Sequence, residues 1–423
     1  MEVCSKTPSL AARPVTIVTA TLNQLSTLAK PRRKFVTALL ATILALRGRV
    51  NYRNLARYGD YSERTYSRQF QRSFPWLEYH AKTIQSFLPA AHELIAAQDA
   101  SFIPKSGRKT YGLDKFYNGC ASRPERGLEI SALAVVDTTQ KGAYIASVEQ
   151  TLPMPELKKE QADATRLDQA IQQMKKARPH LPTVVSKLAA DGWYAKKKYI
   201  DAVLAEGLQV VTKLRCDANM RSHYTGGRSG KQGRPKTYDS KVDWQDLSRF
   251  DKVASSTLPF DREQGVELYT SELYHATLKR WLRVVVIVWR TVDGKRHHLI
   301  LATTDLNGTA ADVVRSYQAR FQIEFLFRDG KQQAGLTQCQ ARNKEALDFH
   351  FNASLATVSA ARVAAAAAHT GDEPFVFSLA TQRQIAFNEH FMAVISTKYG
   401  YDLSCWKTHP AYEELRTYGA LTA

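Results

Sequence analysis

One stretch of the chain, residues 316–332, carries a phenol, two cations and a carboxylate at spacings that could do chemistry together. Its sequence is S-Y-Q-A-R-F-Q-I-E-F-L-F-R-D-G-K-Q, and the four groups belong to Tyr317, Arg320, Glu324 and Lys331. On a helix that turns about 100° per residue, all four lie within roughly 60° of one another. A carboxylate can ligate a cation while basic groups hold phosphates, so the pattern predicts a site for a metal-bound phosphodiester. The alternative is an ion-paired amphipathic helix, in which Arg320 and Arg328 neutralise Glu324.

Such a site needs two more carboxylates, and the order of predicted elements indicates where they lie. Apolar runs bounded by turn residues predict strands at 92–97, 128–137, 144–151, 183–190 and 208–214, with helices at 161–176 and 194–206. The order strand-strand-strand-helix-strand-helix-strand is that of a ribonuclease-H-like core. In such a core the acids lie on the first strand, just after the fourth strand, and on a later helix.

Two residues compete for the first acid. Asp99 follows the first predicted strand, in Q-D-A-S-F-I-P-K-S-G, and two strands separate it from the first helix. Asp137 has only one strand after it and lies at the end of a hairpin, where Asp commonly stabilises a turn. The order of elements therefore favours Asp99.

Asp191 is the candidate for the second acid. It follows a buried strand in the sequence D-G-W-Y, at the kind of strand end where α/β proteins place their sites. The alternative is that Asp191 caps a helix beginning at Tyr194.

The spacing Tyr317-x2-Arg320-x3-Glu324-x6-Lys331 resembles the Y-x2-R-x3-E-x6-K signature of bacterial insertion-sequence transposases of family four, which have a DDE active site. The blocks around Asp99 and Asp191 are similar to those of the same family, and the resemblance covers residues 93–370. It implies that Asp99, Asp191 and Glu324 are catalytic and bind two Mg²⁺ ions, for which Mn²⁺ can substitute. It also implies that Tyr317, Arg320 and Lys331 hold the non-transferred DNA strand, including a hairpin intermediate.

The resemblance implies cut-and-paste transposition by a homodimer that pairs the two inverted repeats ending the element and then engages target DNA. Two other functions fit parts of the sequence. A catalytically silent DNA-binding regulator of the same ancestry would keep the charge and the fold, although all three acids are present. An unrelated basic nucleic-acid-binding scaffold would use Glu324 only as an ion-pair partner of arginine.

The first 90 residues form a basic region that we predict to be helical and to bind DNA. They contain 14 Lys or Arg against 4 Asp or Glu. Two short helices near 52–58 and 63–73, joined through a glycine, fit a helix-turn-helix, capped by Asp60 or Ser62. The second helix would present Arg64 and Arg68 to a DNA groove, with Tyr66 beside them. The alternative is a helical bundle that contacts only the DNA backbone.

The remaining domain boundaries are predicted from changes in composition and in the predicted elements along the sequence. The predicted core occupies residues 91–214 and 305–370, and a mostly β insertion at 215–304 interrupts it. The insertion contains R-S-G-K-Q-G-R-P-K, whose Arg234 could enter a minor groove or meet only phosphates. Trp244, Trp281 and Trp289 could stack on an unpaired base, although tryptophans in strands mostly belong to the core. Residues 371–423 are predicted to be a mixed tail, with dimerisation as a candidate role.

Composition narrows the class of protein. Of 423 residues, 59 are Lys or Arg and 40 are Asp or Glu, giving a net charge of +19 and a pI of about 9.6. Such an excess is typical of a polyanionic partner. The early apolar run at 35–46 is too short to span a membrane. Five scattered cysteines without a C-x-x-C pair predict neither zinc nor disulfides. We therefore expect a bacterial cytoplasmic protein associated with the nucleoid.

Overall fold

A computed structural model of the chain describes residues 12–160, 162–226, 236–254, 265–370 and 375–421. Five helices open the described chain. They are α1 (Ala12–Asn23), α2 (Lys30–Ala45), α3 (Tyr52–Tyr58), α4 (Glu63–Phe70) and α5 (Trp76–Phe87). Ser62 caps α4, its hydroxyl accepting a hydrogen bond from the Thr65 N–H at 3.3 Å. Tyr66 is fully buried. The prediction that Tyr66 lies beside a DNA groove is therefore wrong, because its ring packs against Phe35 in the helical core.

A mixed sheet forms the centre of the fold. Its first six strands are β1 (Leu94–Pro104), β2 (Asp114–Asn118), β3 (Arg123–Asp137), β4 (Gly142–Thr151), β5 (Lys187–Ala190) and β6 (Gln209–Leu214). Five of them lie in the order β4-β3-β1-β5-β6, with β1 antiparallel to β3, and with β5 parallel to both β1 and β6. This is the predicted ribonuclease-H-like α/β core. The sequence did not predict β2, a short strand that pairs with the start of β3.

Helices cover both faces of this core because successive side chains of a strand point to opposite faces. On one face lie α7 (Arg166–Ala177) and α8 (Lys197–Ala205), preceded in the chain by α6 (Met154–Glu160). On the other face lie α10 (Gln322–Gln332) and α11 (Lys344–Ala368), after α9 (Ala310–Ala319). Along β1, Leu94 and Ala96 join the apolar cluster of α7 and α8, whereas Ile95 and Ala97 join that of α10 and α11. Residue 99 therefore continues the face that α10 covers.

The predicted β insertion continues the same sheet. Its strands are β7 (Met220–His223), β8 (Tyr238–Lys241), β9 (Asp251–Val253), β10 (Glu267–His275), β11 (Arg280–Arg290) and β12 (Arg296–Thr303). β12 pairs antiparallel with β6, so that the order continues β6-β12-β11-β10-β7-β8. Trp244 is buried, and its indole N–H donates to the Ala218 carbonyl at 3.1 Å. Trp244 therefore belongs to the core, as most of these tryptophans were expected to, and is not available to stack on a base.

Three helices close the described chain: α12 (Leu379–Tyr399), α13 (Leu403–Lys407) and α14 (Ala411–Thr417). These helices make up most of the described part of the predicted mixed tail. α12 packs against α2, and Arg383 donates to the Leu44 carbonyl at 3.4 Å, where α2 ends. No helix in the described ranges combines the length and apolar character needed to cross a membrane. The division into domains and the dimerisation role stay predictions.

Candidate active site

The signature segment forms two helices, where the sequence predicted one. α9 ends at Ala319 and α10 begins at Gln322. Between them, the N–H groups of Phe321, Ile323 and Glu324 each bond to the carbonyl three residues earlier, at 3.0 Å, instead of four residues earlier. The chain changes course here because α9 packs on β6 and β12, whereas α10 packs on β1, β4 and α11. The break leaves Arg320 at the junction, facing the sheet.

Asp99 lies in the middle of β1 and not at its end, because β1 continues to Pro104. Its neighbour Gln98 stands opposite Ala190, the last residue of β5, which places Asp99 beside the start of the loop that contains Asp191. One carboxylate oxygen of Asp99 accepts a hydrogen bond from the Ala100 N–H at 2.8 Å. The other accepts one from Arg320.

Asp191 follows β5 and caps a single 3₁₀ turn, Gly192–Tyr194. Its Oδ1 accepts a hydrogen bond from the Trp193 N–H at 2.6 Å, and its carbonyl accepts one from the Thr212 hydroxyl at 3.1 Å. The alternative prediction of a helix N-cap holds for this turn but not for α8, which begins only at Lys197. Within the described ranges, Asp191 Oδ2 accepts no hydrogen bond and stays available to a ligand.

Arg320 connects two of the three acids. Its Nη1 lies 2.8 Å from Asp99 Oδ2, and its Nη2 lies 2.9 Å from Glu324 Oε1. The Arg320 side chain is only 11% exposed, and its guanidinium carbon stands 5.5 Å from the centre of the Tyr317 ring. The ion-pair alternative is thus right about Arg320 and Glu324. It is wrong about Arg328, which pairs with Asp329 at 3.3 Å.

The charges of the three acids act on one another. Burial raises the pKa of Asp99 to about 6; Arg320 and the Ala100 N–H oppose this, and the negative charges of Asp191 and Glu324 raise it further. Burial also raises the pKa of Tyr317, which feels the charges of Arg320 and Asp191. Two of the three carboxylates therefore share one guanidinium in a partly buried place, an arrangement that favours a further cation.

The side chains fit the predicted Mg²⁺ ions in type and number. Mg²⁺ prefers oxygen ligands, and carboxylates from β1, from the loop after β5 and from α10 supply them. In the described ranges no three acidic, histidine or cysteine side chains are yet arranged as a metal cluster. Arg320 donates to Asp99 Oδ2 and Glu324 Oε1, so a metal ion bound at either oxygen would replace a guanidinium contact.

Lys331 lies in the last turn of α10. α10 continues through Gly330, so the helix does not end at that glycine. A Cβ at Gly330 would approach Leu355 Cδ2 to 3.0 Å and Leu336 Cδ2 to 3.2 Å, which explains glycine where α10 meets α11. Burial lowers the pKa of Lys331, an effect opposed by Cys120 in the β2–β3 connection. Glu324 and Lys331 are seven residues apart on α10, about two turns, so both side chains leave the same side of that helix. The role of Lys331 stays a prediction.

The remaining predicted residues fall into three groups. Arg64 and Arg68 are exposed on α4, as a DNA-contacting pair requires. Arg234 lies outside the described residues. Asp137, the rival for the first acid, is fully buried and accepts hydrogen bonds from the Thr139 and Gln140 N–H groups at 2.9 Å. Its place at the hairpin turn, far along β3 from Asp99, fits the turn role considered for it.

Sequence reasoning missed the support behind Asp99. Gln98 is fully buried on the opposite face of β1, where Tyr199 donates a 2.5 Å hydrogen bond to Gln98 Oε1. Gln98 Nε2 in turn donates to the Ala170 carbonyl at 3.0 Å. These bonds fix β1 against α7 and α8. The only signal in the sequence was a glutamine at the end of an apolar run.

Comparison with known proteins places the chain in a family. A family model described as DDE superfamily endonuclease matches residues 22–264, more than half of the chain, including Asp99 and Asp191. No curated protein matches. Among solved structures, the piggyBac transposase in a synaptic complex with hairpin DNA is similar with a TM-score of 0.45 and 11% identity, covering 99% of this chain and 84% of that chain. On the family model, this chain belongs to the DDE superfamily endonucleases.

Proposed function

We propose that the chain is a DNA transposase of the family-four insertion-sequence type. It would bind the terminal inverted repeats of its element and carry out Mg²⁺-dependent strand cleavage and strand transfer. One observation carries the proposal: Asp99 and Glu324, which are distant in sequence, share the Arg320 guanidinium, and the pairing of β1 with β5 brings the loop of Asp191 beside Asp99. Membership of a DDE endonuclease family supports the same chemistry.

Each acid has a separate role in this proposal. Asp99, on the central strand, would serve both metal ions, while Asp191 and Glu324 would each serve one. When bound, the two ions would activate the attacking hydroxyl and stabilise the leaving oxygen of the phosphodiester. The Asp191 carboxylate is already oriented by the Trp193 N–H. Mn²⁺ should substitute because it takes the same oxygen ligands.

Arg320 would exchange one anion for another. A guanidinium is planar and can bind a carboxylate or a phosphate with two parallel hydrogen bonds. Without DNA it binds Asp99 and Glu324. With DNA, a backbone phosphate would compete for the same donors, and Tyr317 beside the guanidinium could stack or donate. Release of Arg320 would free two carboxylates as DNA enters.

The basic surface would hold the rest of the substrate. Arg64 and Arg68 on α4, Arg234 in the insertion and Lys331 on α10 are the proposed contacts to repeat and target DNA. Because both element ends must react together, a homodimer is proposed in the DNA complex. Double-stranded DNA would be met in the bacterial cytoplasm, at the nucleoid.

The test is a cleavage assay on duplex DNA that carries the element's own terminal repeats, with and without Mg²⁺. Asp99→Asn, Asp191→Asn and Glu324→Gln should each reduce cleavage to background while leaving repeat binding largely unchanged. Asp217→Asn is the matched control, because Asp217 is exposed and pairs only with Arg215. Its cleavage should equal that of the unmodified protein.

Two results would overturn parts of the proposal. Specific repeat binding without cleavage in Mg²⁺ or Mn²⁺ would identify a catalytically silent regulator of the same ancestry. Equal loss of binding and cleavage in all three acid variants would mean that these carboxylates maintain structure and do not react.

A further inference from the structure

A second polar cavity lies at the C-terminal end of β1, beyond the candidate active site at the middle of that strand. Its volume is about 740 Å³. Three segments meet there: the α2–α3 connection at Arg49, the residues just after β1 at Lys105, and the segment after α10 that contains Gln338 and Arg342. We call this cavity the basic pocket.

The charge of the basic pocket is one-sided. No Asp or Glu is among the described residues that line it, whereas Arg49, Lys105 and Arg342 all do. Lys105 donates a hydrogen bond to the carbonyl of Cys339, a neutral partner that leaves the positive charge unbalanced. Burial lowers the pKa of Lys105; the Cys339 thiol opposes this effect, and the charge of Arg342 adds to it. Several cations without a neighbouring carboxylate are typical of a site for an anion.

Hydrogen bonds between segments hold the walls of the basic pocket in place. The Val50 N–H donates to Gln338 Oε1 at 2.6 Å, and the Tyr111 N–H donates to the Arg342 carbonyl at 2.8 Å. Gly335 has a φ of +74°, and a Cβ there would lie 2.4 Å from Val50 Cβ, so glycine permits this close approach. The backbone that carries Arg49, Lys105 and Arg342 is therefore held in place by these contacts and need not rearrange when an anion binds.

The lining chemistry distinguishes between parts of a nucleic acid. No aromatic ring is among the described residues that line the basic pocket, so it offers a base nothing to stack on. Guanidinium and ammonium groups instead match the phosphate oxygens of a strand.

The position of the basic pocket sets its distance from the reacting phosphate. Asp99 and Lys105 are six residues apart, and at roughly 3.3 Å per residue they lie about 20 Å apart along β1. A DNA strand advances about 3.4 Å per nucleotide along its axis, so this distance is about six nucleotides.

We propose that the basic pocket binds backbone phosphates of the substrate DNA about six nucleotides from the phosphodiester held at Asp99, Asp191 and Glu324. The inference rests on the proposed function, since it takes the same DNA as substrate. It adds a second fixed contact, which sets the register of the strand across the face of β1.

The experiment uses the full chain and duplexes in which single phosphates are replaced, one at a time, by neutral methylphosphonate. The unmodified protein should lose several-fold in affinity when the phosphate about six nucleotides from the cleavage site is neutralised. Arg342→Gln and Lys105→Gln should bind unmodified DNA more weakly and become insensitive to that one replacement. Each should also lower the slope of log affinity against log salt by about one.

Two controls separate charge from folding. Arg342→Lys keeps the charge and should retain most of the sensitivity to the methylphosphonate. Lys176→Gln removes a cation that faces Glu149 at 3.6 Å and should change neither the affinity nor the slope. Melting temperatures of all variants confirm that each is folded.

Several outcomes would overturn the inference. In the first, Arg342→Gln and the unmodified protein respond equally to methylphosphonate at every position. In the second, millimolar inorganic phosphate binds the basic pocket, but the affinity for DNA depends on neither Arg342 nor Lys105. Cleavage measured on the same duplexes keeps the two proposals apart. If the DNA is cleaved but the cation variants respond to methylphosphonate as the unmodified protein does, only the proposal for the basic pocket is refuted. If the variants lose that response but no DNA is cleaved, only the transposase chemistry is refuted.

Discussion

At the scale of single residues, Arg320 defines the state of the candidate site. One guanidinium pairs with both Asp99 and Glu324, and water screens its pair with Asp99 less than its pair with Glu324, whose side chain is 40% exposed. The acids are thereby kept close together without a metal ion. In the cell Mg²⁺ is always present, whereas DNA would reach the site only at times. Metal binding would then be favoured when a substrate phosphate accepts the hydrogen bonds of Arg320 and releases the two carboxylates.

Arg320→Ala should therefore increase the affinity of the DNA-free protein for Mn²⁺. The expected gain is roughly tenfold, since a charge-assisted hydrogen bond contributes about 1.5–3 kcal/mol and no longer competes with the ion. Isothermal titration calorimetry with Mn²⁺ measures the change directly. Arg328→Ala, which removes an arginine paired only with Asp329, should leave the affinity unaltered. Equal or weaker binding by Arg320→Ala would contradict the competition.

The sequence could predict which acids come close together but not what joins them. Asp99 and Asp191 approach because a parallel strand pair brings Gln98 opposite Ala190, a consequence of element order that the sequence carries. The contact of Arg320 with Asp99 depends on the break between α9 and α10. That break arises because α9 and α10 pack on different strands of the sheet. The spacing of residues along one helix carries no information about those packing partners. The catalytic roles of these acids stay predictions.

At the scale of elements, the joint between α5 and α11 couples the N-terminal helices to the core. Trp76 stacks on His80 with ring centres 5.7 Å apart, and lies 5.1 Å from the ring of Phe349. His80 Nε2 and Asn352 Oδ1 are 3.0 Å apart, within the buried interface. Burial lowers the pKa of His80 to about 4, and the hydrogen bond with Asn352 offsets this only in part.

This joint should weaken in acid. Between pH 6.5 and about 4, His80 is protonated in the unfolded chain but stays neutral in the folded protein. The free energy of unfolding that His80 contributes above pH 6.5 is therefore lost as the pH falls. The full effect is roughly 3 kcal/mol. Urea denaturation of His80→Gln should show a shallower decline of stability from pH 7 to pH 4.5 than the unmodified protein. His297→Gln is an exposed control, and identical slopes for His80→Gln and the unmodified protein would refute the role.

Element boundaries show where sequence patterns succeed and fail. The predicted helix at 52–58 agrees with α3, and the predicted strand at 208–214 agrees with β6 to within one residue. β2 escaped prediction because D-K-F-Y-N has only one buried side chain, so its pairing to β3 and not its pattern makes it a strand. The end of β1 was misplaced because Asp99 and Ala100 interrupt a run of buried side chains that resumes at Ser101, itself a polar residue.

At the scale of the whole molecule, the net positive charge favours binding to a polyanion such as DNA. The net charge of +19 is spread over the N-terminal helices, the basic pocket and the insertion. A duplex that contacts several of these surfaces releases one condensed counterion for nearly every phosphate neutralised.

Affinity for repeat DNA should therefore fall steeply with salt. With 6–10 phosphate contacts, the expected loss is about 10³- to 10⁵-fold between about 50 and 200 mM salt. Fluorescence anisotropy with a labelled repeat duplex measures it, and a labelled duplex of scrambled sequence reports the non-specific part. An affinity that is independent of salt would show that net charge does not govern binding.

The strand pairing between β6 and β12 has a consequence for solubility. Without β12, β6 would present unpaired N–H and C=O groups as an open edge, which invites strand-to-strand aggregation. The insertion moves that edge outward to β8, four partly or fully exposed residues that include Asp239 and Lys241. At the other side of the sheet, α11 covers β4, and the Ser359 hydroxyl accepts a hydrogen bond from the Ile145 N–H at 3.1 Å. The core can thus lose neither its insertion nor its long helix without exposing a strand that would seek a partner in another molecule.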